Sequence, residues 1–190
     1  MKEIVLATNN AGKLKEMAAL LHNYRLLTLQ DIGFDQTIEE PFQTFRENAF
    51  IKAKTIYDYC GKAVLADDSG ICATALNGRP GVDSAHFAGP QRSDADNRDL
   101  LLKELADQAD RTAWYEAVLC LIMDGQTHYF TGRCDGTIAL EAKGDKGFGY
   151  DPVFIPAGYQ QTFGELDEQV KNEISHRSKA LELLKAFFKR

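Results

Sequence analysis

The chain opens with a short apolar run at residues 4–7, a pattern typical of a strand that is buried on both faces. A polar stretch follows at residues 8–13, and apolar residues then recur at helical spacing, namely Leu14, Met17, Ala18, Leu20 and Leu21. This order predicts a strand, a short polar loop and a helix. Backbone N–H groups at the start of such a helix can receive a phosphate, and Lys13 and Asn10 would add donors. An Asn-rich turn that caps an ordinary helix explains the same residues equally well.

A second strand is predicted at residues 26–29, and the next helix has a clear start signal. Thr44 fits the N-cap of a capping box with Glu47 as its third helical residue, and the helix should run to about Tyr59. Its two lysines, Lys52 and Lys54, are expected on a solvated face unless another signal intervenes. For Lys54 none does.

The second half of the chain predicts longer strands. A strand is expected at residues 111–123, then a hairpin turn at Asp124-Gly125, then a returning strand at residues 126–131 that continues at residues 137–140. These strands predict an antiparallel lobe beside the parallel part. Helices are expected at residues 93–106 and 171–190, the second with Ser175 as the N-cap of its last segment.

Two adjacent acids interrupt the apolar pattern in the middle of the chain. The apolar run at residues 63–66 breaks into Asp67 and Asp68, and a second apolar run follows at residues 71–73. Neighbouring side chains of a strand point to opposite faces, so one acid is expected to hold the loop and the other to meet a cation. Mg²⁺ is the cation that carboxylates and substrate phosphates hold together. The alternative is a solvated Asp-Asp-Ser-Gly turn between two strands.

A glycine-rich loop at residues 143–152, called the Phe148 loop below, carries two aromatic residues, Phe148 and Tyr150. Aromatic rings on such a loop can stack on a flat ligand such as a nucleobase. Alternatively, the two rings fill the core beneath a long loop.

Composition narrows the possible functions. The chain has 190 residues, which is enough for one large domain or two lobes that share a cleft, and its net charge is −6. This charge argues against a broad nucleic-acid-binding face, and an anionic substrate would need a local cluster of Lys, Arg or metal. The four cysteines form no C-x-x-C pair and have no histidines at zinc-finger spacing.

Two further expectations concern location. No apolar stretch approaches the roughly 20 residues that cross a bilayer, and the first residues resemble a strand rather than a signal peptide. The sequence therefore predicts a cytoplasmic protein with no membrane partner.

Together the motifs resemble the inosine triphosphate pyrophosphatase family, also called the dITP/XTP pyrophosphatases, over nearly the whole chain. The resemblance rests on Thr8-Asn9-Asn10-Ala11-Gly12-Lys13 with Glu16, Glu40 before Thr44-Phe45-Arg46-Glu47-Asn48-Ala49, Ala66-Asp67-Asp68-Ser69-Gly70, Gly147-Phe148-Gly149-Tyr150-Asp151-Pro152, and Ser175-His176-Arg177. Each motif is modest alone, but all of them in this order are highly specific. Two departures are Asn9, where bacterial relatives often carry Gly, and Pro41-Phe42 after the acidic pair.

The resemblance implies a single α/β domain over residues 1–190, with a two-lobed mixed sheet flanked by helices and a central substrate cleft. It implies a homodimer that uses Mg²⁺ to hydrolyse the purine triphosphates ITP, dITP and XTP to a monophosphate and pyrophosphate, which cleanses the nucleotide pool. No nucleic-acid partner is expected.

The resemblance also assigns roles to residues. The phosphates are expected to contact Thr8, Asn9, Asn10, Ala11, Gly12, Lys13 and Lys52. Mg²⁺ is expected on Glu40 and Asp68, with Asp68 also activating water and Lys13 assisting catalysis. Further substrate contacts, mainly to the nucleoside, are expected from Ser69, Phe148, Gly149, Tyr150, Asp151, Lys171, Ser175, His176 and Arg177. Whether Glu39 shares the metal with Glu40 is open, since both acids also suit the start of a helix.

Two rival functions remain at this point. A Maf-like pyrophosphatase that acts on modified nucleotides has a similar N-terminal loop, although the Phe148 loop and Ser175-His176-Arg177 argue against it. A nucleotide-binding regulator without turnover is the rival from another class. The order of preference among ITP, dITP and XTP is open.

Overall fold

The computed structural model describes residues 3–189, and within that range the chain forms a β-sheet together with α-helices and short 3₁₀ helices. The strands are β1 (Glu3–Leu6), β2 (Arg25–Leu27), β3 (Val64–Ala73), β4 (Thr112–Met123), β5 (Gln126–Ile138) and β6 (Phe154–Pro156). The α-helices are α1 (Ala11–Leu20), α2 (Phe45–Cys60), α3 (Asp94–Glu104), α4 (Glu168–Ile174) and α5 (His176–Phe188). Short 3₁₀ helices lie at Thr74–Leu76, Gly81–His86 and Asp151–Val153.

The strands form one sheet in the order β2-β1-β3-β4-β5-β6. β1 runs parallel to both β2 and β3, with Val5 opposite Leu27 and Val64, whereas β5 runs antiparallel to β6. The apolar run of β1 is almost fully buried, as expected for a central parallel strand. The sheet is therefore mixed, and the predicted α/β class is confirmed.

The helix starts follow the signals in the sequence. Asn10 is the N-cap of α1, and its side chain accepts a hydrogen bond from the Lys13 amide. Thr44 is the N-cap of α2 and accepts from the Glu47 amide, while its hydroxyl donates to the Glu47 carboxylate at 2.6 Å. Gly61 ends α2 in the left-handed conformation, with φ of 64°. The predicted capping box is thus confirmed.

The chain divides into two compact units. The first unit comprises the residues up to Asp68, Ala117–Gly132 and the residues from Ala180 onward, and its apolar core is formed by Ile4, Leu6, Met17, Leu21, Leu65, Leu119, Leu121, Phe130, Ala180, Leu181 and Leu184. The second unit comprises Ser69–Glu116 and Arg133–Lys179, and its core includes Ile71, Leu101, Leu105, Tyr115, Ile138, Tyr150, Phe154 and Phe163. The predicted substrate cleft stays a prediction.

Neither the loop expected at the two acids nor the alternative of a solvated turn forms. β3 continues without a break from Val64 to Ala73, so Asp67 and Asp68 lie in the middle of a strand and not at its end. Carboxylates are rare in a buried strand because their desolvation is costly. Two lysine side chains that pair with these acids offset part of that cost, as described below.

Two other boundaries differ from the pattern. β5 is one continuous strand that ends at Ile138, and β4 and β5 belong to the same sheet as the parallel strands, so a separate antiparallel sheet is not formed. The predicted C-terminal helix is two helices, because Ser175 between them is extended, with φ of −66° and ψ of 157°. Its predicted last residue, Arg190, lies outside the described residues.

No helix within residues 3–189 is both long and apolar enough to cross a membrane.

Candidate active site

The loop between β1 and α1 presents the start of a helix. The Thr8 hydroxyl accepts from the Asn10 amide at 3.1 Å, and the Asn10 side chain accepts from the Lys13 amide at 3.0 Å. These contacts fix the loop and leave Ala11 and Gly12 as the first two residues of α1. Amides at these positions have no partner within their own helix, which is the property that lets a helix start bind an anion.

Two lysines of the first unit converge on the acids of β3. Lys13 forms an ion pair with Asp67, whose side chain is fully buried. Lys52 donates to Asp68 at 3.0 Å, to Glu40 at 2.5 Å and to the Asp67 carbonyl at 2.9 Å. Lys52 is therefore buried in this cluster and does not lie on a solvated face, whereas Lys54 is exposed and pairs with Asp58.

Asn48 holds the segment that carries Glu40. Its side chain accepts from the Phe42 amide at 3.0 Å and donates to the Phe42 carbonyl at 2.9 Å, and it is almost fully buried. The unusual Pro41-Phe42 pair therefore leaves Glu40 within reach of Lys52. Sequence reasoning quoted Asn48 only as part of a motif and missed this role.

The electrostatics of the cluster suit a cation. The three carboxylates of Glu40, Asp67 and Asp68 pair with the two lysines Lys13 and Lys52, so these five groups together carry one net negative charge when all of them are ionised. One carboxylate oxygen, Asp68 Oδ2, is buried and accepts no hydrogen bond from the residues of the described chain. A buried carboxylate oxygen without a donor is costly unless something positive reaches it.

The pKa values respond to this crowding. Burial raises the pKa of Asp68 to about 6, against the opposing charges of Lys52 and Lys13 and with help from Glu40. Burial works to lower the pKa of Lys52, but Asp68 and Glu40 outweigh it and raise that pKa above its ordinary value. For Glu40, desolvation raises the pKa, but the charges of Lys52 and Lys13 and the hydrogen bonds to Lys52 and Asp68 together outweigh it, so the pKa of Glu40 is lowered.

A divalent metal fits this donor set. Across residues 3–189, no group of three or more His, Cys, Asp and Glu side chains could hold a metal ion alone. Glu40 and Asp68 supply two carboxylates, and Asp68 Oδ2 is available to a cation. This is the type of site at which Mg²⁺ is completed by waters and substrate phosphates.

A second group of predicted residues comes together in the second unit, around the Phe148 loop. The Asp151 carboxylate accepts from the Phe148 amide at 2.8 Å and from Lys171 Nζ at 2.6 Å. The Lys171–Asp151 pair is buried, and Lys171 Nζ lies 4.8 Å from the centroid of the half-buried Phe148 ring. The buried Lys171–Asp151 ion pair thus fixes the loop backbone at Phe148, and the Phe148 ring lies close to Lys171.

Tyr150 of the same loop has a different role. Its ring is buried in the apolar core of the second unit, and its hydroxyl donates to the Ser84 carbonyl at 2.8 Å. Burial raises the pKa of this hydroxyl. The core interpretation therefore describes Tyr150, whereas Phe148 keeps the partial exposure that stacking on a ligand requires.

The Ser175-His176-Arg177 motif lies at the start of α5, where Ser175 accepts from the Ser178 amide at 3.2 Å and is the predicted N-cap. The His176 ring stacks on Tyr115, with centroids 4.6 Å apart and planes 6° from parallel. Arg177 is almost completely buried and donates to the Ser69 hydroxyl at 2.9 Å. Sequence reasoning placed Tyr115 only within a predicted strand and missed its contact with His176.

The structure thus defines an α/β protein with a lysine–carboxylate cluster in one unit and a buried cationic and aromatic cluster in the other. Comparison with known proteins agrees. The model of the Ham1 family matches residues 4–187, and the chain belongs to that family. It is 43% identical over 188 residues to a dITP/XTP pyrophosphatase of Flavobacterium psychrophilum, covering 98% of this chain and 99% of the relative.

Two further relatives give the same result. A dITP/XTP pyrophosphatase of Bacillus licheniformis is 46% identical over 191 residues, covering 98% of this chain and 97% of the relative. The solved structure of the Staphylococcus aureus Ham1 protein superposes with a TM-score of 0.91 at 39% identity, covering 99% of this chain and 98% of that one. The family predicted from the motifs is therefore confirmed.

Proposed function

We propose that the protein is a nucleoside triphosphate pyrophosphatase that hydrolyses non-standard purine triphosphates, namely dITP, ITP and XTP, to a monophosphate and pyrophosphate. Relatives over 40% identical across nearly the whole chain carry the name dITP/XTP pyrophosphatase. The observation in the molecule that supports it most is the cluster of Lys13, Lys52, Glu40, Asp67 and Asp68, in which Lys52 and both aspartates are buried and one oxygen of Asp68 is left for a cation.

We assign the triphosphate to the first unit. The α1 start, with Thr8, Asn9, Asn10, Ala11 and Gly12, would bind phosphate oxygens through its amides and side chains, and Lys13 and Lys52 would add positive charge. A triphosphate carries about four negative charges, so these lysines must offset both the substrate and the acidic background. Rearrangement of their ion pairs with Asp67 and Asp68 would accompany binding.

Mg²⁺ is the metal that we propose, with Glu40 and Asp68 as the residues that would hold it. When bound, it would neutralise phosphate charge and polarise the bonds to phosphorus. Asp68 would accept a proton from the attacking water, whose oxygen bonds to the α-phosphorus in line with the leaving group. The bond from the α-phosphorus to the bridging oxygen breaks, and pyrophosphate leaves with that oxygen.

We assign the purine base to the second unit. Phe148 would stack on the ring, and Arg177, His176 and the start of α5 would donate hydrogen bonds to the keto oxygen at C6 of hypoxanthine or xanthine. Adenine carries an amino group there, which would face donors. GTP shares the C6 keto group, so its 2-amino group must be rejected by crowding or an unmatched donor, whereas xanthine has an acceptor at that position.

A product assay tests the proposal. Purified protein with Mg²⁺ and ITP should release pyrophosphate and inosine monophosphate in equal amounts, and Asp68→Asn should lose about 10²- to 10⁴-fold in rate. Tight ITP binding without pyrophosphate release would instead support a nucleotide-binding regulator. Preference for modified pyrimidine nucleotides over ITP would support a Maf-like activity. The homodimer, the cytoplasmic location and the lack of a nucleic-acid partner remain predictions of the sequence.

A further inference from the structure

Helix α3 holds both backbone polar groups of Gly149, a residue of the Phe148 loop. The Gly149 amide donates to Asp94 Oδ2 at 2.8 Å, and the Gly149 carbonyl accepts from Arg98 Nη1 at 2.9 Å. Both partners are charged, and hydrogen bonds to charged groups are stronger than neutral ones. None of the motifs that point to the function includes Asp94 or Arg98.

The sequence of α3 explains why these two side chains can act together. Asp94 and Arg98 are four residues apart, so they project from the same face of the helix. Ser93 caps the helix by accepting from the Asp96 amide at 3.2 Å, which fixes Asp94 as the first helical residue. Gly149 has φ of +61°, a conformation that residues with a Cβ rarely adopt, so its two peptide groups can turn toward the helix.

The consequence falls on Phe148, the residue just before Gly149. Its own amide is fixed by the Asp151 carboxylate at 2.8 Å, and the next residue is fixed by α3. The backbone of Phe148 is thus anchored on both sides, while its ring stays half exposed. The ring centroid lies 4.8 Å from Lys171 Nζ and 5.8 Å from the Arg177 guanidinium carbon.

We propose that Asp94 and Arg98 are positioning residues for purine selection, which act by fixing the backbone of Gly149 and so aim the Phe148 ring at the base. This inference rests on the proposed function, because it assumes that Phe148 stacks on the purine. Neither side chain needs to touch the nucleotide. Held loops of this kind matter because a small misplacement of a binding group costs much of its interaction.

Substitutions at Asp94 separate the hydrogen bond from the charge. Asp94→Ala removes the acceptor and should raise KM for ITP about 3- to 10-fold, with kcat nearly unchanged, and narrow the ITP-over-ATP ratio of kcat/KM. Asp94→Asn loses the charge but keeps an acceptor oxygen, so it should restore most of the wild-type KM. Asp96→Ala is the matched control, because Asp96 is also an acid in the first turn of α3 but does not contact Gly149.

Arg98→Ala should have the same effect as Asp94→Ala, and a double-mutant cycle shows whether the effect passes through Phe148. In the Phe148→Ala background, neither Asp94→Ala nor Arg98→Ala should change KM or the ITP-over-ATP ratio further. A persistent effect in that background would overturn the inference, since it would mean direct contact with the nucleotide or a general structural role.

The outcomes are separable from those of the proposed function. If wild-type protein releases no pyrophosphate from ITP, the proposed function fails. If wild-type protein is active and Asp94→Ala matches the Asp96→Ala control in KM and in the ITP-over-ATP ratio, only the positioning role fails. Equal loss for Asp94→Ala and Asp94→Asn would also refute it, because charge rather than the hydrogen bond would then be responsible.

Discussion

Replacing Asp68 by Asn should change how the stability of the metal-free protein depends on pH. Asp68 has an ordinary pKa of 3.8, and burial raises it to about 6 in the folded protein. The folded state therefore binds the proton more tightly than the unfolded state does. Between about pH 4 and pH 6 the folded wild type loses stability as pH rises, and above that range the full cost of the buried charge is present.

The size of this cost follows from the shift. A difference of about two pKa units corresponds to about 3 kcal/mol at 1.36 kcal/mol per unit. Asp68→Asn removes the titration and keeps the shape. The unfolding free energy of the variant minus that of the wild type should therefore increase by about 2 kcal/mol between pH 4 and pH 7.5, because the unfolded carboxyl is already more than half ionised at pH 4.

Urea denaturation in EDTA at several pH values measures this difference. Asp99→Asn is the control, because it makes the same substitution at an exposed position outside the lysine–carboxylate cluster. Parallel stability curves for wild type and Asp68→Asn across this range would refute the account of a costly buried charge. Added Mg²⁺ should stabilise the wild type more at pH 7.5 than at pH 5, and should have little effect on the variant.

Three further predictions follow from the site. Lys13→Ala should raise KM for ITP and also lower kcat, because negative charge moves toward the leaving pyrophosphate in the transition state. As a control, Lys54→Ala at an exposed position should match wild type in steady-state kinetics. Equal kinetics for both variants would assign Lys13 to structure alone. Tyr150→Phe should lower the free energy of unfolding, measured by urea denaturation, by about 1–2 kcal/mol, because the Ser84 carbonyl loses its donor. KM for ITP should stay unchanged, and a large change in KM would instead place Tyr150 against the base. Arg177→Ala should narrow the ITP-over-ATP ratio more than it slows ATP hydrolysis, and an unchanged ratio in steady-state assays would remove Arg177 from base recognition.

The sequence correctly predicted the helix starts and the hairpin turn that are determined by neighbouring residues. The β1–α1 start, the capping box at Thr44 and the turn at Asp124-Gly125 all form where neighbouring residues specify them. Asp124 and Gly125 have φ of 52° and 75°, as the two-residue hairpin turn requires. The signals for these features lie within a few residues, so a sequence pattern can carry them.

The positions of the side chains in the candidate site depend on contacts with residues that are distant along the chain, so the sequence pattern could not predict them. Asp67 and Asp68 lie within a strand and pair with lysines that are distant in sequence: Lys13 is 54 positions from Asp67, and Lys52 is 16 positions from Asp68. For the same reason, helical spacing alone could not distinguish the buried Lys52 from the exposed Lys54. The pattern could not decide between the core and a ligand for Tyr150, because an aromatic residue in a loop suits both, and the Ser84 carbonyl that decides it is 66 positions away.

The ratio of kcat/KM for ITP to that for ATP, measured with Mg²⁺ by pyrophosphate release, tests the central claim most directly. A buried donor left without an acceptor costs about 1–3 kcal/mol, so two mismatched contacts to the C6 amino group predict about 10²- to 10⁴-fold preference for ITP. XTP should match ITP, GTP should fall well below both, and ATP should be lowest. Hydrolysis of ATP as efficient as that of ITP would contradict both the assigned base pocket and the role in removing non-standard purines.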